Sequence, residues 1–157
     1  MLKAAKISAT TMQRSIFTFA VINCAFYILF ALSFKFLNML HIWGLNMINF
    51  FALGVISIFQ VHNWIRKTGG YVPFLQAFFT VLFTGSVSFI LFAFFILIYS
   101  LSDPYFAKLF ITHTENTGRL IAPIVVFFEG TGGSIIIGLI ASFYAARYED
   151  QEVPIKH

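Results

Sequence analysis

Long apolar stretches separated by short polar segments dominate the pattern of this chain. A transmembrane helix needs about 20 mostly apolar residues, because about 30 Å of hydrocarbon is crossed at about 1.5 Å per residue. Four stretches meet that length, and the third lies in a segment, 68–102, that contains no Asp, Glu, Lys or Arg. The predicted spans are 15–34, 42–62, 74–101 and 120–146. We therefore predict an all-α membrane protein with four transmembrane helices.

The composition supports this fold class and excludes others. Hydrophobic residues make up 59% of the 157 residues and charged residues only 10%, whereas soluble domains carry about 25% charged residues. The chain has 22 phenylalanines and a mean hydropathy of +0.87. A soluble globular domain, a disordered chain and a nucleic-acid-binding module are excluded, and the net charge of +4 is spread too thinly to form a basic patch.

The basic residues beside the spans predict the orientation in the membrane. The four-helix domain, 15–146, follows a basic segment, 1–14, and precedes a tail, 147–157. If the N-terminus is cytoplasmic, the opposite side holds three basic residues: Lys35, Lys108 and Arg119. The cytoplasmic side then holds seven: Lys3, Lys6, Arg14, Arg66, Lys67, Arg147 and Lys156. We therefore predict a multi-pass protein with both termini in the cytoplasm.

The loop between spans three and four predicts a short external helix. Asp103 is a typical N-cap residue, and Pro104 is favoured at the first helical position. Gly118 would end the helix. Four apolar residues share one face by their spacing: Tyr105, Phe106, Leu109 and Phe110. We expect an amphipathic helix that lies on the outer membrane surface or caps the bundle.

Glu129 is the acidic residue that lies well inside a predicted span. An ionised side chain at this depth costs about 2.5–3.5 kcal/mol on insertion scales, so it normally faces a partner, a cavity or another subunit. Counted from the outer ends of their spans, Asn46 and Asn49 lie at a similar depth. Either the three form a proton or cation relay, or Glu129 is protonated and hydrogen-bonded across the bundle or to another chain. The second hypothesis is preferred.

Small residues recur every four positions after Glu129. They are Gly130, Ser134, Gly138, Ser142 and Ala146. A phosphate-binding loop is not indicated, because the segment lacks the lysine that such a loop requires. A small-xxx-small repeat instead allows another helix to approach closely. The neighbouring helix could belong to the same bundle or to another subunit, and the sequence leaves both open.

Neither catalysis nor a cofactor is expected. Cys24 is the single cysteine, and it lies in an apolar stretch. A metal site needs several converging ligands, but the histidines fall on both sides of the membrane: His41, His62, His113 and His157. No Ser/His/Asp or Cys/His arrangement can be assembled, so we expect a protein that is not an enzyme and holds no metal.

The segment before span three carries a motif, Arg66-Lys-Thr-Gly-Gly-Tyr-Val-Pro-Phe-Leu-Gln-Ala-Phe78. With this motif and its four spans, the chain resembles a bacterial family, largely from Bacteroidetes, called domain of unknown function 4199. The resemblance implies a topology but no activity. Pro73 stands where the family commonly has serine, and the external loop is shorter and less acidic than expected for the family. Gly69 and Gly70 permit a tight cytoplasmic turn before Tyr71 and Phe74; a docking site in this loop is the alternative.

These observations favour a non-catalytic accessory, stabilising or assembly subunit of a larger inner-membrane complex. Its expected partners are the lipid bilayer and other membrane subunits or further copies of the chain, without nucleic acid. The alternative is a small oligomeric transporter or a proton or cation conductor that uses Glu129 with Asn46 and Asn49.

Overall fold

Four long helices form the described part of the chain. The computed structural model describes residues 9–37, 46–68, 72–103 and 118–151, and side chains for 11–37, 47–67, 72–103 and 120–147. The helices are α1 (Ala9–Phe36), α2 (Asn46–Thr68), α3 (Phe74–Ser102) and α4 (Gly118–Gln151). The helices α1, α2 and α4 continue past the ends predicted for their spans, since polar ends extend beyond the apolar stretches that defined the predictions.

Each helix is long and apolar enough to cross a membrane. The shortest, α2, has 23 residues and is therefore about 34 Å long, against about 30 Å of hydrocarbon. The described ranges contain no strand. The prediction of an all-α fold with four membrane-spanning helices is confirmed. The predicted external helix falls on residues 104–117, outside the described ranges, and stays a prediction.

The helices pack in a ring in the order α1, α3, α4, α2, with α1 also contacting α2. The contact between α3 and α4 is the most extensive, and the diagonal contact between α2 and α3 is slight. The surface of this ring is apolar, as lipid requires: Phe51, Phe94 and Phe128, for example, are all more than half exposed. Hydropathy therefore does not separate the inside of this bundle from the outside.

Two apolar clusters, one toward each end of the bundle, form the core. The first centres on Tyr27, Phe89 and Phe92, with the Tyr27 and Phe89 rings stacked at 4.9 Å. The second lies at the opposite end, where Trp64 packs with Val81 and neighbouring small residues of α4. Buried polar residues occupy the helix positions between the clusters: Ser57, Gln60, Thr84, Ser88 and Ser134.

Hydrogen bonds within single helices satisfy two of these hydroxyl groups. Ser88 Oγ donates to the Thr84 carbonyl at 2.6 Å, and Ser134 Oγ donates to the Gly130 carbonyl at 2.7 Å. Such bonds to the carbonyl four residues earlier let a hydroxyl be buried in an apolar surrounding without a partner on another helix. Gln60 is different, because it bonds between helices: its Nε2 donates to Thr84 Oγ1 on α3 at 3.1 Å and to Ser15 Oγ on α1 at 3.3 Å.

Candidate functional site

The small residues of α4 pack against α3. Gly130, Ser134, Gly138 and Ser142 are all buried. A Cβ built on Gly130 would overlap the Phe89 ring of α3, and one built on Gly138 would lie 3.2 Å from the Phe78 ring. The contact is reciprocal, since a Cβ on Gly85 of α3 would overlap Ser134. This repeat therefore brings two helices of the same chain together, which is one of the two arrangements that the sequence left open.

Glu129 precedes Gly130 and is exposed on the surface of the bundle. It lies nine residues after Leu120, the start of the apolar part of α4, or about 14 Å along the helix axis. Eighteen residues, or about 27 Å, separate it from Arg147 at the other end. Its depth is therefore that of the hydrocarbon. Within the described ranges, no hydrogen bond or ion pair to its carboxyl group is found, so the hydrogen bond across the bundle proposed from the sequence is not seen there.

A small cavity of about 20 Å³ lies beside Glu129, between α2, α3 and α4. Asn49 is also part of its wall, so an asparagine of α2 and a glutamate of α4 line the same cavity. The rest of the wall is mostly apolar: Phe50, Phe89, Phe92, Val126 and the backbone of Gly130. The Asn49 side chain is 9% exposed, and its Oδ1 has no hydrogen-bond partner within the described ranges. The site therefore combines an acid with an unpaired buried acceptor.

Among the remaining candidate site residues of α2, α3 and the segment between them, only Phe74 has a described side chain. Asn46 begins α2, but its side chain lies outside the described part. Gly69, Gly70 and Tyr71 also lie outside it, so the predicted turn and its alternative as a docking site stay predictions. Phe74 is the first residue of α3, and its ring packs edge-on against Phe143 of α4 at 5.4 Å.

Gly132 was not among the residues that the sequence pattern singled out. It is exposed on α4, and a Cβ built on it would meet no atom within 4 Å. Neighbouring Gly133 differs, because its Cβ would overlap the Phe50 ring of α2. Glycine costs about 0.8–1.0 kcal/mol relative to alanine within a helix, and at Gly132 no packing in the described bundle requires it. The periodic pattern gave no signal for this residue, since it falls outside the four-residue repeat.

A second feature that the sequence reasoning missed links the C-terminal ends of α1 and α3. Lys35 forms an ion pair with Asp103, and its Nζ donates a hydrogen bond to the Tyr99 hydroxyl at 2.8 Å. The same Nζ lies 4.7 Å from the Tyr99 ring centroid. The sequence did hold a signal for this contact, since Lys35 and Asp103 carry opposite charges at span ends on the same predicted side of the membrane. The role of Asp103 as the cap of an external helix stays a prediction, because that helix lies outside the described ranges.

The candidate site is a membrane-embedded acid with a buried amide, on a four-helix membrane protein. His62 and Tyr144 form a separate contact nearer the C-terminal ends of α2 and α4, with Nδ1 and the hydroxyl 3.2 Å apart. Within the described ranges, no group of three or more His, Cys, Asp or Glu residues could hold a metal ion. No protein-family model, curated protein or solved structure matches this chain. Function must therefore be inferred from its own residues.

Proposed function

We propose that this protein is a non-catalytic subunit of a larger complex in the bacterial inner membrane, with an accessory, stabilising or assembly role. The proposal rests mainly on Glu129, an ionisable residue exposed on the lipid-facing surface of α4 at the depth of the hydrocarbon. Exposure of its charged form to lipid would cost about 2.5–3.5 kcal/mol. A partner helix that covers this surface would remove the carboxyl group from lipid, which favours assembly.

Gly132 is a second, independent observation that favours docking of a partner at this surface. It lies on the outer side of α4, one helical turn after Phe128, and its exposed backbone leaves room for another helix. Small residues let transmembrane helices approach closely enough for backbone contact. We call Phe128, Glu129 and Gly132 the outer face of α4. This face, and not the four-residue repeat, is the proposed docking surface, because α3 already covers that repeat.

The orientation and family are part of the same proposal. The excess of basic residues on one side favours cytoplasmic termini by the positive-inside rule. The lack of a catalytic arrangement in the sequence favours a structural role over an enzymatic one. Membership of the family called domain of unknown function 4199 stays a prediction, and it would bring a topology without an activity.

Photo-crosslinking in native membranes tests this proposal. A photoreactive benzoylphenylalanine replaces Phe128 on the outer face of α4, or, as a matched control, Leu29 on α1; the two side chains are 68% and 65% exposed. We expect a discrete protein adduct from position 128 and none from position 29. The added variant Gly132→Leu should abolish the adduct, because a larger side chain blocks close approach of the partner, and its Cβ meets no atom of the described bundle within 4 Å.

The mass of the adduct identifies the kind of partner. An adduct at twice 17.8 kDa would assign the face to a second copy of this chain, whereas another mass indicates a different subunit. If position 128 crosslinks only lipid and the chain purifies from mild detergent as a monomer without other chains, the proposed role as a subunit is wrong.

A further inference from the structure

Glu129 and the buried Phe89 ring of α3 lie at the same level of the bundle. A Cβ built on Gly130, the residue after Glu129, would overlap this ring. The ring also contacts the other two helices, since it is stacked on Tyr27 of α1 at 4.9 Å and lies 6.0 Å from the Phe50 ring of α2. Phe89 therefore identifies, on each helix, the residues that are level with Glu129.

The exposed side chains of the other three helices at this level are apolar. Each of the residues that meet at Phe89 has an exposed neighbour in the chain. These neighbours are Phe26 on α1, Phe51 on α2 and Ile90 on α3. Their side chains have no nitrogen or oxygen atom and therefore cannot donate a hydrogen bond. Through the exposed residues that the structure describes, a second copy of this chain could meet Glu129 at this level only with an apolar side chain or with its own Glu129.

A second copy is therefore a poor match for this carboxyl group. In a two-fold pair of parallel α4 helices the same residues face each other, so Glu129 would meet Glu129. Two carboxylates repel each other, and neither has a hydrogen to donate. Phe26, Phe51 or Ile90 of another copy would instead enclose the carboxyl group in an apolar contact, which is costly for a polar group without a hydrogen bond.

We propose that the outer face of α4 receives a transmembrane helix of a different protein, and that this helix presents a hydrogen-bond donor side chain to Glu129. The donor is a basic, amide or hydroxyl group level with Phe89. An ionised carboxyl group only accepts hydrogen bonds, and a neutral one still accepts through its carbonyl oxygen, so a donor is needed in either protonation state. Gly132 lets the partner backbone approach closely enough for such a contact. The inference rests on the proposed subunit role and adds the chemistry of the partner.

Photo-crosslinking from position 128 in native membranes tests this recognition with two matched variants of the full chain. Glu129→Gln keeps a side-chain oxygen that accepts a hydrogen bond, whereas Glu129→Leu has a similar volume and no polar atom. The yield of the protein adduct is measured relative to the total amount of this chain in the membrane. We expect the yield from Glu129→Leu to be lower than that from Glu129→Gln by about threefold or more, the effect of losing one interhelical hydrogen bond.

A second apolar variant, Glu129→Met, gives the same comparison if Glu129→Leu does not accumulate in the membrane. The inference is wrong if the apolar variants give the same adduct yield as Glu129→Gln, because no donor then recognises the side-chain oxygen. It is also wrong if the adduct has twice the mass of this chain. Both outcomes leave the subunit role intact, since a protein adduct still forms. Absence of any protein adduct from the native chain at position 128 would instead contradict the subunit role itself.

Discussion

Two glycines of α4, two residues apart, should respond in opposite ways to the same substitution. Gly130→Ala introduces a methyl group that overlaps the buried Phe89 ring of α3, whereas Gly132→Ala introduces one that meets no atom within 4 Å. Both variants make the same chemical change in the same helix. Any difference between their free energies of unfolding therefore measures the contact between α4 and α3.

The expected size of this difference follows from the surroundings of Phe89. Its ring is 3% exposed, stacked on Tyr27 at 4.9 Å, and 6.0 Å from the Phe50 ring, so it has little space into which to move. Overpacking of such a core costs about 1–3 kcal/mol. Alanine gains about 1 kcal/mol of helix propensity over glycine, but this gain is common to both variants. We expect Gly130→Ala to be less stable than Gly132→Ala by about 1–3 kcal/mol.

Reversible unfolding of the full chain in mixed detergent micelles, followed by circular dichroism, gives these free energies. Adding Phe89→Leu to each variant then measures the interaction between position 89 and the substituted glycine. A smaller side chain at position 89 should relieve the overlap, so Gly130→Ala and Phe89→Leu should be non-additive by about 0.5–3 kcal/mol. Gly132→Ala and Phe89→Leu should be additive. Equal stability of the two alanine variants, or additivity in both pairs, would refute the packing of α4 on α3 at Gly130.

Three further outcomes are expected from other parts of the bundle. Lys35→Asp should destabilise the fold, because it places like charges at the adjoining C-terminal ends of α1 and α3, and adding Asp103→Lys should restore stability; unfolding of both single variants and the exchange variant checks this. Gln60→Leu should lower the free energy of unfolding by about 1 kcal/mol, since it removes two interhelical hydrogen bonds worth about 0.6 kcal/mol each; a stability at or above the native value would contradict it. With cytoplasmic termini, a cysteine at Ser102 should react with a membrane-impermeant thiol reagent added outside intact cells, and one at Lys67 should not.

The four helices could be predicted from the sequence because the bilayer sets strict conditions. A span must be apolar over about 20 residues and must satisfy its backbone hydrogen bonds internally. Both conditions are local, so a single sequence reveals them. The short segments that join the spans obey no comparable condition. The predicted external helix, based on Asp103 and Pro104, is therefore a weaker kind of inference than the spans.

The rotation of each helix about its axis could be predicted only in part. On α3, apolar residues occur all around the helix: Phe92 is buried and Phe94 is exposed, although the two side chains are the same. The buried faces are marked instead by small and polar residues, such as Thr84 on α3 and Gly130 on α4. The repeat after Glu129 therefore identified a packing face, but the helix that it meets depends on contacts between segments distant in sequence.

The candidate site, too, could be predicted from the sequence only in part. Counting residues from the span ends placed Asn49 and Glu129 at a similar depth, and the structure has both in one cavity wall. Depth follows from sequence position, because each helical residue advances about 1.5 Å. Whether the two side chains lie on adjacent helices does not follow from depth. It depends on the contact between α2 and α4, which the sequence pattern did not specify.

The glycines of α4 explain why Glu129 lies where it does. Successive helical residues are rotated by about 100°, so Gly133 is about 60° from Gly130, Glu129 about 100° in the same direction, and Gly132 about 160°. Gly130 must face α3, and Gly133 must face Phe50 of α2, because any side chain there would overlap an aromatic ring. These two close contacts fix the rotation of α4 and turn Glu129 to the edge of α2, within reach of the Asn49 cavity. Gly132 then points away from both neighbours, so the bundle accounts for two of these three glycines, and the partner contact that we propose at the outer face of α4 would account for the third.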